Sequence, residues 1–410
     1  MNGHNIEASI IIPTYNRAEL LEFTLLSLYK QSMPAKIFEV IVVNDGSTDQ
    51  TAKVLRKINH PYKLVVLHNK VNGGAAYSRN QGIKSSKGKI IIFLDEMLVD
   101  RNFVKGHLGY HGKENMVITT HYNGQRIFSH YYPNFSQRQK RKCQKTSMKI
   151  SSIRHPTYKK GVLRLFSRKE VISHSILSYG FQNKTRPKWF HSLQAAYGKY
   201  LERMASPWFL FITNGVSVSR NLLDKAGLFD EKLKTWMEDW ELGYRLYLAG
   251  ATFYNADEIA CYHQTHPIGR SNKNKLVNYL YFIQKHQVTE VLLVPAISPA
   301  VFNWSVEKLG KIVTQYKELE NNRIHWCPDF AAAFKELAET LSWYVSRLVN
   351  NSALPLLKST EAGFTRWEPE FAGRVKKQLL QLEQESLLSG SYRELIKGFK
   401  DLLRLPIRKL

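Results

Sequence analysis

Cysteine is scarce in this sequence. Among 410 residues there are only Cys143, Cys261 and Cys327, which lie far apart and form no CxxC pair. A disulfide framework and a structural zinc site are therefore not expected, and a reducing compartment fits this cysteine usage. The first residues, MNGHNIEASIII, do not combine a basic segment with a long apolar run, so we expect no secretory leader.

Long apolar runs are scarce too. The most apolar later stretch, residues 288–304, contains Glu290, Pro295 and Pro299. It is too short and too interrupted to cross a bilayer. We therefore expect a cytoplasmic protein, with peripheral contact at the inner face of a membrane as an open alternative.

Acidic residues are few relative to basic ones. The chain has 59 Lys and Arg against 34 Asp and Glu, a formal net charge of +25. Such an excess favours an anionic partner, which could be nucleic acid, a lipid surface, or an acidic substrate or polymer. The sequence has no helix-turn-helix, RRM-like or zinc-finger signature, so nucleic acid is the least expected of these partners.

Hydrophobic residues are abundant, at 43% of the chain, and this length is typical of two or three domains. Over the first 120 residues, strand-type apolar runs alternate with stretches of helical periodicity. This alternation predicts a parallel sheet with helical crossovers. Strands are predicted over residues 9–12, 38–43, 63–67, 89–94 and 116–120, and helices over 19–29, 75–84 and 103–110, with another beginning at the capping-box pair Ser47 and Gln50.

The rest of the chain changes character twice. Residues 122–206 lose the alternation and are basic, above all from Arg138 to Lys169. Regularity resumes over 209–219 and continues to about residue 264. Apolar residues three and four apart in 329–349, 372–388 and 392–405 then predict an all-helical C-terminal module.

The residues that follow the predicted strands are the candidates for chemistry, because parallel sheets bind ligands at the carboxyl ends of their strands. Pro13, Thr14 and Tyr15 follow the first strand. The dinucleotide fingerprint G-x-G-x-x-G is missing there, so a dehydrogenase loses its main support. Asp45 follows the second strand in an Asp-Gly pair that is also typical of a plain turn. Its carboxylate can alternatively accept hydrogen bonds from a ribose hydroxyl or a base N–H.

A glycine-rich segment opens the next helix. Asn72 precedes Gly73 and Gly74, and Arg79 follows within the helix. Glycines allow close approach to the backbone, a helix N-terminus favours phosphate, and arginine binds phosphate or a base edge. The alternative is an ordinary glycine-rich loop with a surface arginine.

Two adjacent carboxylates, Asp95 and Glu96, follow the fourth strand. They suit a hard cation that bridges a diphosphate, unless they form an acidic helix start with Asp100. His263 would complete such a cation site if it lay near Asp95, although a lone histidine is usually structural.

The segment Trp236-Met237-Glu238-Asp239-Trp240 begins another predicted helix. Thr235 and Glu238 have capping-box spacing, which gives Glu238 a structural explanation, and Glu241 and Arg245 can pair along the helix. Asp239 has no such local partner and can take a proton from an acceptor hydroxyl. The neighbouring tryptophans can stack on a sugar face.

Taken together, PTYNR, VNDGSTD, NGGAAYSRNQG, FLDE and WMEDWELGYRL occur in an order that resembles the family 2 (GT-A fold) inverting nucleotide-sugar glycosyltransferases. The resemblance covers residues 8–265 apart from 122–206. It implies a GT-A, Rossmann-like mixed α/β sheet flanked by helices, followed by the all-helical module. The implied division is a donor-binding half (1–121), a basic insertion (122–206), an acceptor and catalytic half (207–285) and a helical C-terminal domain (286–410).

The resemblance also implies site roles. The donor, expected to be a UDP-sugar, would be bound by Pro13, Thr14, Tyr15, Asp45, Asn72, Arg79, Asp95 and Glu96. The acceptor would be bound by Asn214, Trp236, Glu238 and Trp240, with Asp239 as the general base. A divalent cation, Mn²⁺ or Mg²⁺, would be held by Asp95 and His263. The cation requirement stays open because Met97 occupies the position of the second Asp of the D-x-D motif, and a thioether is a poor ligand for these ions.

Two functions remain. The first is sugar transfer from a nucleotide donor to a glycan, lipid-linked or anionic polymer acceptor, with homo-oligomer formation through the C-terminal helices. The second is a catalytically lapsed GT-A scaffold that binds polyanions, favoured by Met97 and the charge. Because the basic stretch from Arg138 to Lys169 is outside the recognised motifs, we expect it to recruit an anionic acceptor or lipid.

Overall fold

The computed structural model describes residues 6–120, 125–149, 161–182, 193–198, 200–234, 236–267, 272–323, 326–352 and 355–406. The chain divides into two compact units, Met1–Leu201 with Leu210–Arg270 and Glu202–Phe209 with Ser271–Leu410. Among the described residues, no helix is both long enough and apolar enough to cross a membrane.

Among the described residues, all strands lie in the first unit. They are β1 (Ala8–Thr14), β2 (Phe38–Asn44), β3 (Lys63–His68), β4 (Ile90–Phe93), β5 (Met97–Val99), β6 (Met116–Thr119), β7 (Gln125–Ile127), β8 (His130–Tyr131), β9 (Leu163–Arg164), β10 (Phe181–Gln182), β11 (Val216–Ser219), β12 (Thr252–Asn255) and β13 (Cys261–Gln264).

Helices occur in both units. Those of the first unit are α1 (Ala18–Ser27), α2 (Thr51–Lys57), α3 (Ala75–Ser85), α4 (Phe103–Tyr110), α5 (Gln137–Ser147), α6 (Arg168–Ile172), α7 (Arg220–Ala226) and α8 (Glu238–Leu248). Those of the second are α9 (Asn272–His286), α10 (Thr289–Leu292), α11 (Val306–Arg323), α12 (Pro328–Val349), α13 (Thr360–Phe364), α14 (Pro369–Ser389) and α15 (Arg393–Leu402).

A seven-stranded sheet forms the centre of the first unit, in the order β12-β6-β11-β4-β1-β2-β3. Its inner strands β1, β2 and β4 are runs of Ile, Val and Phe buried on both faces, as expected where helices cover both sides of a sheet. The sheet is not wholly parallel, because β11 runs antiparallel to both β4 and β6. The mixed sheet is therefore confirmed, and the fully parallel one is wrong.

The first strand is longer than predicted, since β1 continues through Pro13 to Thr14. Proline lacks an N–H and normally ends a central strand. Here β4 pairs with β1 only as far as Ile11, opposite Phe93, so Pro13 has a neighbouring strand on one side only. This extra length carries Thr14 to the carboxyl edge of the sheet.

A second sheet has the order β10-β7-β13-β5. His263 on β13 lies opposite Met97 on antiparallel β5 and opposite Arg126 on parallel β7. Two strands of this sheet, β7 and β10, come from the stretch 122–206. The described part of the predicted insertion therefore contributes two strands to this sheet.

The basic stretch also packs against α1. Glu22 on α1 is buried and accepts hydrogen bonds from Arg164 and Arg168, the latter through Nε over 2.7 Å. A hydrophobic cluster that includes Phe23, Phe128 and Cys143 lies beneath these ion pairs. Two of the cations expected to bind an anionic partner are thus neutralised within the protein.

The cations of α5 are different. The side chains of Arg138, Arg141, Lys142 and Lys145 are exposed, and among the described residues they form no ion pair. The helix is held by its other face, where Cys143 and Ser147 are buried, and it begins with a capping box between Ser136 and Gln139. Its outer surface is therefore a basic strip.

One predicted helix start is wrong. The helix α2 begins at Thr51, not at a capping box formed by Ser47 and Gln50. The carboxylate of Asp49 accepts hydrogen bonds from the N–H of Thr51 at 2.9 Å and from that of Ala18 at 3.1 Å. A single aspartate therefore satisfies backbone donors at the first turns of α1 and α2, which fixes the loops that follow β1 and β2.

The second unit is helical throughout its described residues. The three predicted C-terminal helices are confirmed as α12, α14 and α15, while α9 and α11 were not predicted. Phe330 and Phe399 lie fully buried with ring centroids 4.6 Å apart. Asp401 accepts hydrogen bonds from the indole of Trp304 and from Lys308.

Candidate active site

The candidate site lies at one edge of the seven-stranded sheet. The carboxyl ends of the parallel strands β1, β2 and β4 meet there, followed by Tyr15, Asp45 and Asp95. Because β11 is antiparallel to β4 and pairs Val216 with Phe93, its amino end is at the same edge and brings Asn214 there. These residues, up to 199 positions apart in sequence, share the edge because strand direction places them there.

The loop after β1 is held to the loop after β2. Asn16 adopts a left-handed backbone conformation (φ 52°), and its side-chain carbonyl accepts hydrogen bonds from the N–H of Thr48 at 2.8 Å and of Asp49 at 3.3 Å. Tyr15, just before this turn, is 46% exposed. A flat aromatic ring beside the fixed loop is available to a base or sugar.

Asp45 is buried and fully engaged with the glycine-rich segment. Its Oδ1 accepts hydrogen bonds from Asn69 at 2.7 Å and from the Gly73 N–H at 2.9 Å, and its Oδ2 accepts one from the Gly74 N–H at 2.9 Å. The next donor, the Ala75 N–H, bonds the carbonyl of Lys234 at 2.8 Å. These three amides at the start of α3 already have protein acceptors, so the structure gives them a different role from the expected phosphate cradle.

Arg79 is the centre of a buried ion cluster. Its Nη2 donates to Asp95 and its Nη1 to Glu238, both over 2.9 Å. Burial opposes the charge of Arg79, but the two carboxylates outweigh it and raise the pKa of the guanidinium. The guanidinium also lies over the ring of Phe229, with its carbon 5.5 Å from the centroid. Arg79 therefore joins the end of β4 to the start of α8.

Glu238 differs from its expected roles. The residue before α8 is Met237, so Glu238 is the first residue of the helix and not the third position of a capping box. Thr235 lies outside the described residues. Burial raises the pKa of Glu238, although the neighbouring Arg79 opposes this. With only 6% of its surface exposed and one oxygen bound to Arg79, Glu238 is placed to hold Arg79 and not an acceptor sugar.

Asp239 lies next in the first turn of α8. Burial and the neighbouring charge of Glu238 raise its pKa to about 8, against the opposing effect of Arg79. Its Oδ1 accepts a hydrogen bond from the Trp240 N–H at 2.9 Å. A carboxyl with a pKa near neutrality is what a general base requires.

The backbone before Asp239 is strained. Trp236 and Met237 both have left-handed conformations, with φ values of 66° and 72°, a region that non-glycine residues seldom adopt. Such strain occurs where the surrounding structure fixes a functional residue. Trp236 is 52% exposed whereas Trp240 is buried, so of the two only Trp236 offers a ring to a sugar.

The residues expected to hold a divalent cation, Asp95 and His263, have other neighbours. Asp95 has one oxygen bound to Arg79, Met97 is buried with a thioether in place of a carboxylate, and His263 lies opposite Met97. Among the described residues, no group of three His, Cys, Asp or Glu side chains has the arrangement of a metal site. This donor set does not fit a preformed site for Mn²⁺ or Mg²⁺, which prefer several oxygen ligands.

Glu96 points back toward β1. The Thr14 hydroxyl donates to its Oε1 over 2.8 Å, and burial together with the charge of Asp95 raises the pKa of Glu96 to about 7. Arg17 acts in the opposite direction and lowers it. Glu96 is therefore a second carboxyl at this edge that titrates near neutral pH.

Three residues near the predicted site residues were not named as candidates from the sequence: Arg17, Tyr132, and Arg126, which lies opposite His263. Arg17 and Glu96 both influence the pKa of Tyr132, which burial raises, so these groups lie in one electrostatic neighbourhood. Arg17 ends the PTYNR motif and carried a signal in the sequence. Arg126 carried none, because β7 has three residues within a stretch without recognisable periodicity.

The comparisons with known proteins identify the family. The family model described as glycosyl transferase family 2 matches residues 9–168. Over 285 residues the chain is 33% identical to the uncharacterized glycosyltransferase YfnE of Bacillus subtilis (strain 168), a match that covers 68% of this chain and 71% of that protein. The chain belongs to glycosyl transferase family 2.

This family 2 glycosyltransferase is also similar to a curated glucosyltransferase and to a solved structure. It is 28% identical over 312 residues to validoxylamine A glucosyltransferase of Streptomyces hygroscopicus subsp. jinggangensis (strain 5008), covering 74% of this chain and 64% of the relative, which is under two thirds of the relative's length. The crystal structure of S. aureus TarS aligns with a TM-score of 0.46 at 17% identity, over 85% of this chain and 55% of that one. The expected mixed sheet flanked by helices is confirmed by the strand order and directions, and membership of the family makes the protein a transferase.

Proposed function

We propose that this protein is an inverting glycosyltransferase that moves a sugar from a UDP donor to an acceptor hydroxyl, with Asp239 as the general base. The observation that carries the proposal is the position of Asp239 at the sheet edge, next to the Arg79 cluster and with a pKa of about 8. At that pKa about a tenth of the carboxyl is ionised at pH 7 and about half at pH 8, and the ionised form is basic enough to take a hydroxyl proton.

The reaction balances with the groups at this edge. Asp239 takes the acceptor's hydroxyl proton as the acceptor oxygen forms a bond to the anomeric carbon. The bond from that carbon to the donor's phosphate oxygen breaks, and its electron pair leaves with the diphosphate. Attack opposite to the leaving group inverts the anomeric configuration.

The donor's nucleoside end is assigned to the loops after β1 and β2. Pro13, Thr14 and the exposed ring of Tyr15 bound one side, and the loop fixed by Asp45, which includes Asn72, bounds the other. Asp45 acts here mainly by ordering the glycine-rich segment. Arg79, Asp95 and Glu238 support the site from beneath, since they are bound to one another.

The acceptor would approach Asp239 past Trp236, whose exposed ring can stack on a sugar face, with Asn214 at the same edge. We assign the acceptor to glycan or glycopolymer biosynthesis, as a glycan, a lipid-linked sugar or an anionic polymer. Activity in the cytoplasm or at the inner face of a membrane, oligomer formation through the C-terminal helices, and the fourfold division of the chain stay predictions.

The variant Asp239→Asn tests the catalytic role. Transfer should fall by about 10²–10⁴-fold, the usual contribution of a general base, while UDP binding measured by calorimetry stays unchanged. Asp224→Asn, an exposed aspartate on α7, is the matched control. Transfer by Asp239→Asn at the wild-type rate would contradict the assignment.

The donor sugar requires a screen, since nothing at the site distinguishes one hexose from another. Slow hydrolysis of UDP-sugars without an acceptor should single out one member of a panel. UDP-glucose is the natural first member, because one relative is named a glucosyltransferase.

Polyanion binding by a catalytically lapsed scaffold is the second candidate. The basic strip on α5 favours it, together with Met97 at the position of a carboxylate. This candidate predicts no binding of UDP and a steep salt dependence of binding to an anionic polymer. Calorimetry with UDP separates the two functions.

A further inference from the structure

The residues around Met97 form a row across the second sheet. Met97, His263 and Arg126 are register partners on the adjacent strands β5, β13 and β7. Register partners point their side chains to the same face of a sheet. The thioether of Met97, at a position where the D-x-D motif has a carboxylate, is therefore next to the imidazole of His263. The guanidinium of Arg126 lies one strand further along the same row.

This face of the sheet looks toward the candidate site. Cys261, two residues before His263 and thus on the same face, donates its S–H to the Asn214 carbonyl at 3.2 Å. Gln264, on the opposite face, donates to the Leu20 carbonyl and the Thr24 hydroxyl of α1 and to the backbone carbonyl of Glu96. His263 and Arg126 are therefore on the side of Asn214 and the sheet edge.

A second guanidinium comes from the other side of the edge. Arg17 follows the loop after β1, is half-buried, and within the described part of the chain its guanidinium makes no hydrogen bond or ion pair. The carbonyl of Arg17 accepts a hydrogen bond from the Leu21 N–H in the first turn of α1, and the carbonyl of the neighbouring Leu20 accepts one from Gln264, which directly follows His263 on β13. The start of α1, which carries Arg17, therefore lies beside the strand that carries His263.

We propose that Arg126 and Arg17, with His263 beside them, bind the diphosphate of the donor in place of a divalent cation. The proposal rests on the assigned UDP-sugar transfer and names what neutralises its leaving group. Two guanidinium groups at one site suit a diphosphate in charge and in geometry, because each guanidinium binds phosphate oxygens through paired N–H donors.

The chemistry of the transfer is then complete without a metal ligand set. When the bond between the anomeric carbon and the phosphate oxygen breaks, its electron pair stays on that oxygen and increases the negative charge of the diphosphate. The guanidinium groups stabilise that charge, and because arginine remains charged throughout the working pH range, no proton is needed. Asp95, bound to Arg79, is not required as a cation ligand.

Calorimetry with UDP as the probe tests this directly, in EDTA and in Mn²⁺ on the full chain. Dissociation constants within about threefold of each other are expected in the two buffers. Arg126→Gln should weaken UDP binding by about tenfold or more, the size of one lost charge-assisted hydrogen bond. Arg126→Lys should recover part of that loss, and Arg56→Gln, an exposed arginine on α2, should have no effect.

Arg17→Gln should weaken UDP binding as well. Arg17 precedes α1, so this variant tests the proposal even if Arg126→Gln disturbs the folding of β7. UDP binding that requires Mn²⁺ and is unchanged in both glutamine variants would overturn the proposal while leaving the transferase assignment intact. Failure to bind UDP in either buffer would instead contradict the UDP donor itself.

Discussion

Arg79 and Glu238 are 159 residues apart in sequence, yet the Nη1 of Arg79 donates to the Oε1 of Glu238 over 2.9 Å. The same guanidinium holds Asp95 at the end of β4. One buried side chain thus connects the first strands of the fold with the helix that carries Asp239. The cluster lies beside Asp239, the proposed base, and its charges on Glu238 and Arg79 modify a pKa that burial raises.

Removal of Arg79 should destabilise the protein. Arg79→Met leaves Glu238 buried beside Asp95 with no cation between them. Breaking a buried ion pair in this way costs about 3–5 kcal/mol of unfolding free energy, measurable by denaturant titration. Lys89→Met, in an exposed pair with Glu7, should change stability by less than about 1 kcal/mol. Equal effects of both substitutions would show that the Arg79 cluster is not a buried ion pair in solution.

The rate of transfer should depend on pH through Asp239. Because the base acts only when ionised and its pKa is about 8, kcat/KM should rise about tenfold per pH unit below pH 8 and level off above it. Burial is the main cause of this raised pKa, and the charge of Glu238 adds to it. Glu238→Gln should therefore move the acidic limb to lower pH. Glu241→Gln is the comparison, and its acidic limb should coincide with that of the wild type. An acidic limb of Glu238→Gln that also coincides with the wild type would contradict the coupling between Glu238 and Asp239.

The glycine at position 74 should not tolerate a side chain. Its φ of 92° suits glycine, and a Cβ would lie 2.7 Å from the Lys234 carbonyl oxygen. Gly74→Ala should thus lower the melting temperature and weaken UDP binding, since Gly74 orders the loop with Asp45. Gly109→Ala in α4 meets nothing within 4 Å and should stabilise by roughly 0.5–1 kcal/mol. Thermal unfolding of the two variants gives the comparison.

The basic strip on α5 should act on the acceptor and not on the donor. Replacing Arg138, Arg141, Lys142 and Lys145 by Gln removes four exposed charges and leaves the Glu22 ion pairs intact. The KM for an anionic polymer acceptor should rise at low salt, while hydrolysis of the UDP-sugar stays unchanged. The difference should vanish at high salt, because screening weakens exposed charges. Unchanged acceptor kinetics at low salt would contradict this role.

The sequence by itself determined most of the strand and helix pattern of the first 120 residues, apart from β5 and the start of α2, and also the three C-terminal helices and the family. These features depend on local periodicity and on motifs that are contiguous in the chain, such as FLDE and WMEDWELGYRL. Glu241 and Arg245, one helical turn apart, were predicted to pair and do so over 2.8 Å. Short-range spacing is sufficient for such contacts.

Only the tertiary structure decided what the site residues do. It joined Arg79 to Asp95 and Glu238, engaged Asp45 with the glycine-rich segment, and placed Arg126 and His263 in one row with Met97. It also divided the basic residues of this cysteine-poor chain into two groups. Arg164 and Arg168 are paired with Glu22 inside the protein, whereas the cations of α5 are exposed. The physical reason is that strand direction and register are set by packing between distant segments, and a sequence read locally carries no measure of which carboxylate will meet which cation.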